Sequence, residues 1–290
     1  MKTIFVTIIA SLALGCGPAQ EEQRTGDTTG EERRGPREML ACSTGNDATP
    51  HVPKIAPWLP PGITAEVALE TRPMVDDITG DGLDDLVFFV RAGEYRFIGL
   101  VGCQDAMVSG LGVYRMEGLD GVVEIDKIEA TGIPPGEVLI KVTRREPPAI
   151  YIRHRYLRFD GASLQEIFAI TKQNVPPTGP GTRAEINFID QNGDGLNEVV
   201  AMEETLDGDT ARAHNTDPGA PAPRLMGSRQ VTFRFDREQG KYVAESVRAG
   251  RGVVSSADIT AEPQVIVLTD AGPPIGADAG AAAAADAGPR

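Results

Sequence analysis

The chain has 290 residues, of which 42 are acidic and 28 are basic, and its formal net charge is −14 at pH 7. So acidic a chain repels the phosphate backbone, which excludes a general nucleic-acid-binding protein. The charge suits an exported, soluble domain that attracts cations.

The first 15 residues have the pattern of a secretory signal, in which Lys2 precedes a short apolar stretch. That stretch is too short to span a bilayer, which takes about 20 residues. A buried core helix is the alternative, and the polar segment that follows argues against it. The segment Leu12-Ala13-Leu14-Gly15-Cys16 resembles a bacterial lipoprotein lipobox. The resemblance implies that Cys16 is lipidated and becomes the N-terminus, whereas an ordinary signal peptide would lose it or leave it incidental.

Residues 16–47 are predicted to be a flexible tether, because they contain almost no apolar side chains. Residues 269–290 are Asp-Ala-Gly repeats and predict a disordered tail. The folded domain is therefore expected between residues 48 and 268. Cys42 and Cys103 could form one disulfide in an exported chain, with two free thiols as the alternative. The sequence has no CxxC pair, so it supports neither a zinc site nor a redox motif.

Short apolar runs between turn residues predict β-strands at residues 85–90, 138–142, 198–202 and 264–268. Three turn-plus-strand units begin at Val75, Val123 and Ile186, and their aligned column of acids is Asp85, Glu137 and Glu198. A small sheet recurring every 40–60 residues or so is typical of a propeller blade, although a closed propeller needs at least about four. The predicted fold is mostly β, either a propeller with a further unit near residues 51–73 or an incomplete array of small antiparallel sheets. Residues 207–228 are predicted to be a mobile insertion.

Two loops, residues 77–85 and 190–198, carry oxygen-bearing side chains at positions 1, 3, 5 and 9. Calcium takes 6–8 oxygen ligands, and glycine at position 6 permits a sharp turn, after which residue 7 offers its carbonyl. Three carboxylates in each loop would repel one another without a cation. The prediction is two calcium sites, with solvated Asp/Asn/Gly turns as the alternative; magnesium fits less well because it demands octahedral geometry. The predicted ligands are Asp77, Thr79, Asp81, Leu83 and Asp85 in one loop, and Asp190, Asn192, Asp194, Leu196 and Glu198 in the other.

The segments DITGDGLDDLV and DQNGDGLNEVV resemble the calcium loops of FG-GAP/VCBS-type repeats, found in integrin-like β-propellers and bacterial exported proteins. The resemblance implies a β-propeller that holds calcium at the blade edge through those same ligands. The middle unit, IEATGIPPGEV, keeps Gly132 and Glu137. It is expected to have lost the acids at positions 1, 3 and 5 and to bind no metal. EF-hands are excluded, because Phe88 and Ala201 stand where that motif needs Glu at position 12.

No catalytic residue is predicted. The three histidines, His51, His154 and His214, lie in unrelated contexts, and the sequence has no GxSxG, HExxH or phosphate-binding motif. The basic stretch 141–158 could bind an acidic partner, but alternating Arg residues more often form the solvated face of a sheet.

The leading hypothesis is a lipid-anchored, calcium-binding, non-enzymatic binding or adhesion module of the bacterial cell envelope, on its periplasmic or surface face. Its partners would be the membrane, through the lipid, and a protein or glycan ligand, and a monomer is expected. One alternative is an accessory envelope protein with purely structural calcium. Another is a hydrolase whose site has no recognisable motif.

Overall fold

The computed structural model describes residues 42–117 and 121–250. The signal segment, Cys16, residues 264–268 and the predicted tail lie outside these ranges. A 3₁₀ helix (Thr49–Trp58) precedes the strands, and one α-helix, α1 (Gly208–Thr216), follows β11. The strands are β1 (Ala65–Val67), β2 (Met74–Asp76), β3 (Asp85–Ala92), β4 (Tyr95–Gln104), β5 (Met107–Met116), β6 (Val122–Ile128), β7 (Glu137–Glu146), β8 (Ala149–Phe159), β9 (Leu164–Val175), β10 (Gly181–Ile189), β11 (Glu198–Leu206), β12 (Leu225–Asp236) and β13 (Lys241–Ala249).

The described residues are mostly β, which confirms the prediction of a β-rich fold. Two open antiparallel sheets contain five and eight strands. In the smaller sheet, β1 and β2 pair with successive halves of one edge of β3, and β4 and β5 follow. The larger sheet runs in chain order from β6 to β13.

The larger sheet consists of two four-stranded meanders with a short junction. β9 and β10 pair only through Thr182 with Asn174 and Arg183 with Gln173. Neighbouring pairs are far more extensive, as in β10 with β11 from Gly181 to Ile189. The chain therefore contains three four-stranded groups: the first group (β2–β5), the middle group (β6–β9) and the third group (β10–β13).

Two apolar layers lie between these groups. Successive strand residues point to opposite faces, so β7 directs Val138 and Ile140 into a layer shared with the first group and Leu139 into a layer shared with the third. In the second layer, Tyr156 of the middle group meets Phe188 of the third group edge-on, with ring centroids 5.2 Å apart. The middle group is thus buried on both faces, which explains why β7 begins as an unbroken apolar run.

The outer face of the first group is covered by the 3₁₀ helix. Ile55 is fully buried and packs in one cluster with Leu86, Phe88 and Val90 of β3. Because β3 is covered on both faces, it also lacks the apolar–polar alternation of a half-exposed strand.

The predicted insertion contains a helix that its composition did not reveal. Asp207 caps α1 by accepting a hydrogen bond from the Thr210 amide, at 3.0 Å. Ala211 packs in a small cluster with Val175 and Leu206. Arg212 donates from Nη1 to the Gly179 carbonyl, at 2.9 Å. The helix is therefore anchored to the chain between β9 and β10.

A disulfide joins Cys42 to Cys103 of β4, with the sulfur atoms 2.12 Å apart and the Cα atoms 5.2 Å apart. Near it, the Thr44 hydroxyl donates to the Asp84 carbonyl, at 3.2 Å. The segment before the 3₁₀ helix is thereby held against the first group. Within the described ranges, no helix is both long enough and apolar enough to cross a membrane.

Replacing both cysteines, Cys42→Ser with Cys103→Ser, is expected to lower the free energy of unfolding. The bridge spans 61 residues of chain, and closing a loop of that size restricts the unfolded state by roughly 4 kcal/mol in the chain-entropy model. Urea unfolding measures the loss. The wild type under reducing conditions is the control and should match the variant; equal stability of the oxidised wild type and the variant would contradict a stabilising bridge.

Candidate metal sites

One acid begins the second strand of each four-stranded group and is buried there. Asp85, Glu137 and Glu198 are 0%, 0% and 3% exposed. In every case one carboxylate oxygen accepts an amide hydrogen from the preceding loop. The contacts are Asp85 Oδ2 with the amides of Ile78 and Thr79, both 2.8 Å; Glu137 Oε2 with that of Ala130, 2.7 Å; and Glu198 Oε2 with that of Gln191, 2.8 Å. The aligned acids of the three units thus accept equivalent backbone hydrogen bonds.

The two predicted calcium loops also fold alike. In the first loop (residues 77–85), Asp77 accepts hydrogen bonds from the Gly80 and Gly82 amides, at 2.6 and 3.0 Å. Both glycines have φ near +80°, a region that other residues rarely adopt. The third loop (residues 190–198) repeats this arrangement with Asp190 accepting from Gly193 and Gly195, at 2.7 and 3.0 Å. The position-5 acids do likewise: Asp81 accepts from the Leu83 amide and Asp194 from the Leu196 amide, both at 2.8 Å.

The predicted ligands are neighbours in each loop, but their carboxylates are not gathered around one point. Within residues 42–117 and 121–250, no three side chains of His, Cys, Asp or Glu are placed as a metal-holding cluster. Instead, the acids at positions 1, 5 and 9 accept hydrogen bonds from backbone amides. The loops therefore have a defined turn conformation in which backbone N–H groups satisfy much of the negative charge.

The first loop contains two buried oxygens without a hydrogen-bond partner of normal geometry, Thr79 Oγ1 and Asp85 Oδ1. Burial raises the pKa of Asp85 to about 6, although the loop amides favour the ionised form. Asp85 Oδ1 lies against the backbone of Gly102, where a Cβ atom would come within 2.1 Å of it. Within the described residues, this carboxylate oxygen therefore meets no cation and has no hydrogen bond of normal geometry, although the Thr79 side chain favours the ionised form of Asp85.

The third loop satisfies its buried acid differently. Asn192 donates from Nδ2 to Glu198 Oε1, at 2.7 Å, while its own Oδ1 accepts from the Asp194 amide, at 2.8 Å. The side chain at position 3 therefore closes the loop onto the acid at position 9. The buried oxygen of Glu198 is thus satisfied by a neutral amide donor.

The middle loop (residues 129–137) corrects one expectation. The hydrogen bonds of Glu137 place Glu129, not a neutral residue, at position 1. Positions 3 and 5 are Thr131 and Ile133, so only those two lack an acid. Position 1 of the middle loop therefore keeps an acid, contrary to that expectation. The buried Glu137 Oε1 accepts a short hydrogen bond from the Thr131 hydroxyl.

A cation of the protein itself lies beside the middle loop. Arg158 of β8 places Nη1 3.0 Å from Thr131 Oγ1 and 3.4 Å from Glu137 Oε1. Its side chain is 22% exposed, and that of Glu137 is wholly buried. The middle loop therefore neutralises its buried carboxylate with a guanidinium group.

The three loops lie side by side. The Asn197 amide, just before β11, donates to the Thr131 carbonyl of the middle loop, at 3.0 Å. The Tyr242 hydroxyl bridges the same two segments through the carbonyls of Ala130 and Asn197, at 2.9 and 3.0 Å. On the other side, Lys127 Nζ reaches Asp76 Oδ1, at 2.6 Å, next to the first loop.

A cleft of about 450 Å³ separates the first loop from the middle loop; it is lined by Asp77, Thr79, Gly80, Lys127, Pro134 and Pro135.

Much of the basic stretch 141–158 is neutralised within the protein. Lys141 pairs with Asp126, and Arg144 with Glu146. Arg155 Nη1 lies 2.7 Å from Glu166 Oε2, and the Tyr114 hydroxyl donates to the same oxygen, at 2.5 Å, which links the first and middle groups. These contacts favour the structural interpretation of the arginines over an exposed site for an acidic partner.

The histidines make separate contacts. His51 Nε2 lies 2.9 Å from the Thr44 carbonyl, and His214 Nδ1 lies 3.2 Å from the Ala220 carbonyl. His154 Nδ1 lies 3.5 Å from the Tyr156 hydroxyl. Burial, together with the charges of Lys172 and Lys141, lowers the pKa of His154 to about 4. None of these contacts pairs a histidine with a serine or a carboxylate.

Sequence reasoning missed three residues that complete the sites: Gly102, Arg158 and Tyr242. Two of them, Gly102 and Arg158, could be located from the pairing of the second and third strands of their groups. Val138 pairs with Leu157 and Leu86 with Val101, so the next residues along, Arg158 and Gly102, face the buried acids. The Tyr242 contacts depend on packing between groups and have no local sequence signal.

A scan against protein-family models finds no match to this chain, and a search of curated proteins finds no significant match.

Gly102→Ala is expected to destabilise the protein, because the added Cβ would lie 2.1 Å from Asp85 Oδ1 and 2.8 Å from Leu111 Cδ1. Forcing extra volume into a packed core typically costs about 1–3 kcal/mol. Thermal unfolding measures the difference. Gly227→Ala in β12 is the matched control, since no atom lies within 4 Å of its added Cβ. If the two variants are equally stable, Asp85 does not occupy the space beside Gly102.

Proposed function

We propose that this protein is an exported, lipid-anchored, calcium-binding β-repeat module of the bacterial cell envelope, with a non-enzymatic binding or adhesion role. The observation that carries the calcium proposal is a pair of buried oxygens, Thr79 Oγ1 and Asp85 Oδ1, that have no hydrogen-bond partner of normal geometry among the described residues. Burying an ionised carboxylate costs several kcal/mol unless a cation or donors compensate it. A bound cation at the first loop would remove that cost.

The residues of the loops fit calcium in their chemistry. Each loop offers carboxylate, hydroxyl or amide, and carbonyl oxygens, which is the donor set of a hard cation. Asp77, Thr79, Asp81, Leu83 and Asp85 would hold one ion, and Asp190, Asn192, Asp194, Leu196 and Glu198 the other. Calcium would supply the positive charge that the loop amides only partly provide. The glycine turns already fix the backbone in the first and third loops.

The repeat proposal is supported by the three four-stranded groups, which carry equivalent loops and pack face to face. We propose that they are three blades of an incomplete propeller-like array. The 3₁₀ helix covers the first blade in the way that a capping element protects the end of a repeat array.

A second candidate function has a specific observation in its favour. The hydrogen bonds from Asn197 and Tyr242 tie the middle and third loops together. Calcium at these loops would therefore also brace the packing between groups, as expected for an accessory envelope protein whose calcium is purely structural. The histidine contacts offer no support for the hydrolase alternative.

Calcium titration tests the proposal directly. Calorimetry on the metal-free wild type is expected to show two binding events, with Kd on the order of 10⁻⁴–10⁻³ M as in extracellular modules. Asp81→Ala and Asp194→Ala should each remove one event. Calcium at ten times Kd should raise the free energy of unfolding by about 1.4 kcal/mol per site.

Asp209→Ala is the control for these variants, because Asp209 is an exposed acid of α1 outside both loops. It should bind calcium as the wild type does. The absence of both heat and thermal stabilisation at ~10 mM calcium would refute the calcium sites, since a ligand that binds only the folded state must stabilise it. Capture of a protein or glycan partner that depends on calcium would favour the adhesion role over the purely structural one.

The lipid anchor has its own test. Cys16→Ala is expected to abolish incorporation of a radiolabelled or clickable fatty acid in a bacterial host and to release the protein from the membrane fraction. Cys42→Ser is a control that should retain the label. Undiminished labelling of the Cys16→Ala variant would refute the lipobox interpretation.

A further inference from the structure

In each group, the residue directly across the sheet from the buried acid, on the third strand, is different. In the hairpin register, Asp85 faces Gly102, Glu137 faces Arg158 and Glu198 faces Arg234. Only Arg158 contacts its acid: Nη1 lies 3.4 Å from Glu137 Oε1 and 3.0 Å from Thr131 Oγ1. Arg234 is exposed, and Gly102 has no side chain.

The two oxygens that Arg158 contacts belong to positions 3 and 9 of the middle loop. The residues at those positions in the first loop are Thr79 and Asp85, whose side-chain oxygens Oγ1 and Oδ1 have no hydrogen-bond partner of normal geometry among the described residues. The guanidinium group of one unit therefore lies beside the atoms that are unsatisfied in the other. The backbone around both acids is the same, since amides at corresponding positions donate to the remaining carboxylate oxygen.

We infer that Arg158 is the resident cation of the middle group, placed at the position where the first group takes a metal ion. The guanidinium neutralises Glu137 without any ligand from solution. The middle group is thereby independent of calcium, although it retains carboxylates at positions 1 and 9 (Glu129 and Glu137). The pairing of Arg158 with Glu137 stands on its own geometry, whereas the equivalence to a metal position rests on the proposed calcium function.

The loss of the position-5 acid agrees with this assignment. Ile133 stands where the other loops have Asp81 and Asp194. A guanidinium is one positive charge and a calcium ion is two, so a loop served by arginine needs fewer carboxylates. An additional acid beside Glu129 and Glu137 would leave negative charge without compensation.

A charge cycle in the presence of a chelator tests the resident cation. Arg158→Met keeps much of the side-chain volume but leaves Glu137 buried without its cation. Breaking such a pair typically costs enough to lower Tm by about 6–20 °C in a domain of this size. Arg158→Lys should lose less than Arg158→Met, because it restores a cation. Arg234→Met is the matched control at the corresponding exposed position and should shift Tm by about 2 °C or less.

The double variant Arg158→Met with Glu137→Gln completes the cycle. Its loss of Tm should be smaller than the sum of the two single losses, since both members of the ion pair are neutral. Additive losses, or a Lys variant no more stable than the Met variant, would overturn the assignment of Arg158 as a counter-ion.

Measuring Tm with and without calcium then tests whether Arg158 occupies the position of a metal ion. Addition of ~10 mM calcium should raise the Tm of Arg158→Met by more than that of the wild type, because Glu137 is then open to the ion. Equal rises in both proteins would reduce Arg158 to an ordinary ion pair and overturn the inference. If the charge cycle behaves as expected while neither protein responds to calcium, the proposed calcium function fails and the pairing of Arg158 with Glu137 is upheld.

Discussion

The structure depends on a buried carboxylate at the first residue of β3, β7 and β11. An ionised carboxylate in an apolar interior is costly unless it is hydrogen-bonded or paired. Each of these acids is met by amides of the loop before it. The carboxylate therefore holds the loop in its turn, and the loop makes the burial of the charge possible. Neither half of the arrangement would be stable without the other.

The same constraint places the loops relative to one another. Each acid begins a strand that soon places a residue in an apolar layer between groups, namely Val87 in β3, Val138 in β7 and Val199 in β11. Packing those layers aligns the strands and so brings the loops together at one end. The contact of Asn197 with Thr131 then follows from the stacking. The Tyr242 hydroxyl adds a second link between the middle and third loops.

Several features could be predicted from local sequence. The apolar runs at 85–90, 138–142 and 198–202 coincide with parts of β3, β7 and β11. The equivalence of Asp85, Glu137 and Glu198 followed from their common place between a glycine-containing turn and an apolar run. These features depend on neighbours along the chain, so the sequence displays them directly.

Other features depend on contacts between distant residues. The ion pair of Arg158 with Glu137 requires the register of β7 against β8, which the hairpin sets and the composition does not reveal. Helix α1 is short and rich in polar residues, and it is stabilised by its cap and by contacts with the chain near Gly179. Short helices of this kind owe their stability to tertiary context more than to propensity.

The three groups compensate their buried carboxylates in different ways. Arg158 is covalently attached, so Glu137 is neutralised as soon as the hairpin forms. Asn192 supplies a neutral donor to Glu198 and leaves the negative charge in place. Asp85 has neither an arginine nor an asparagine beside it, and burial raises its pKa to about 6. If the outer groups take calcium as proposed, the middle group would provide a metal-independent centre, buried on both faces, on which the two metal-dependent groups pack. Loss of calcium would then loosen the first and third groups before the middle group.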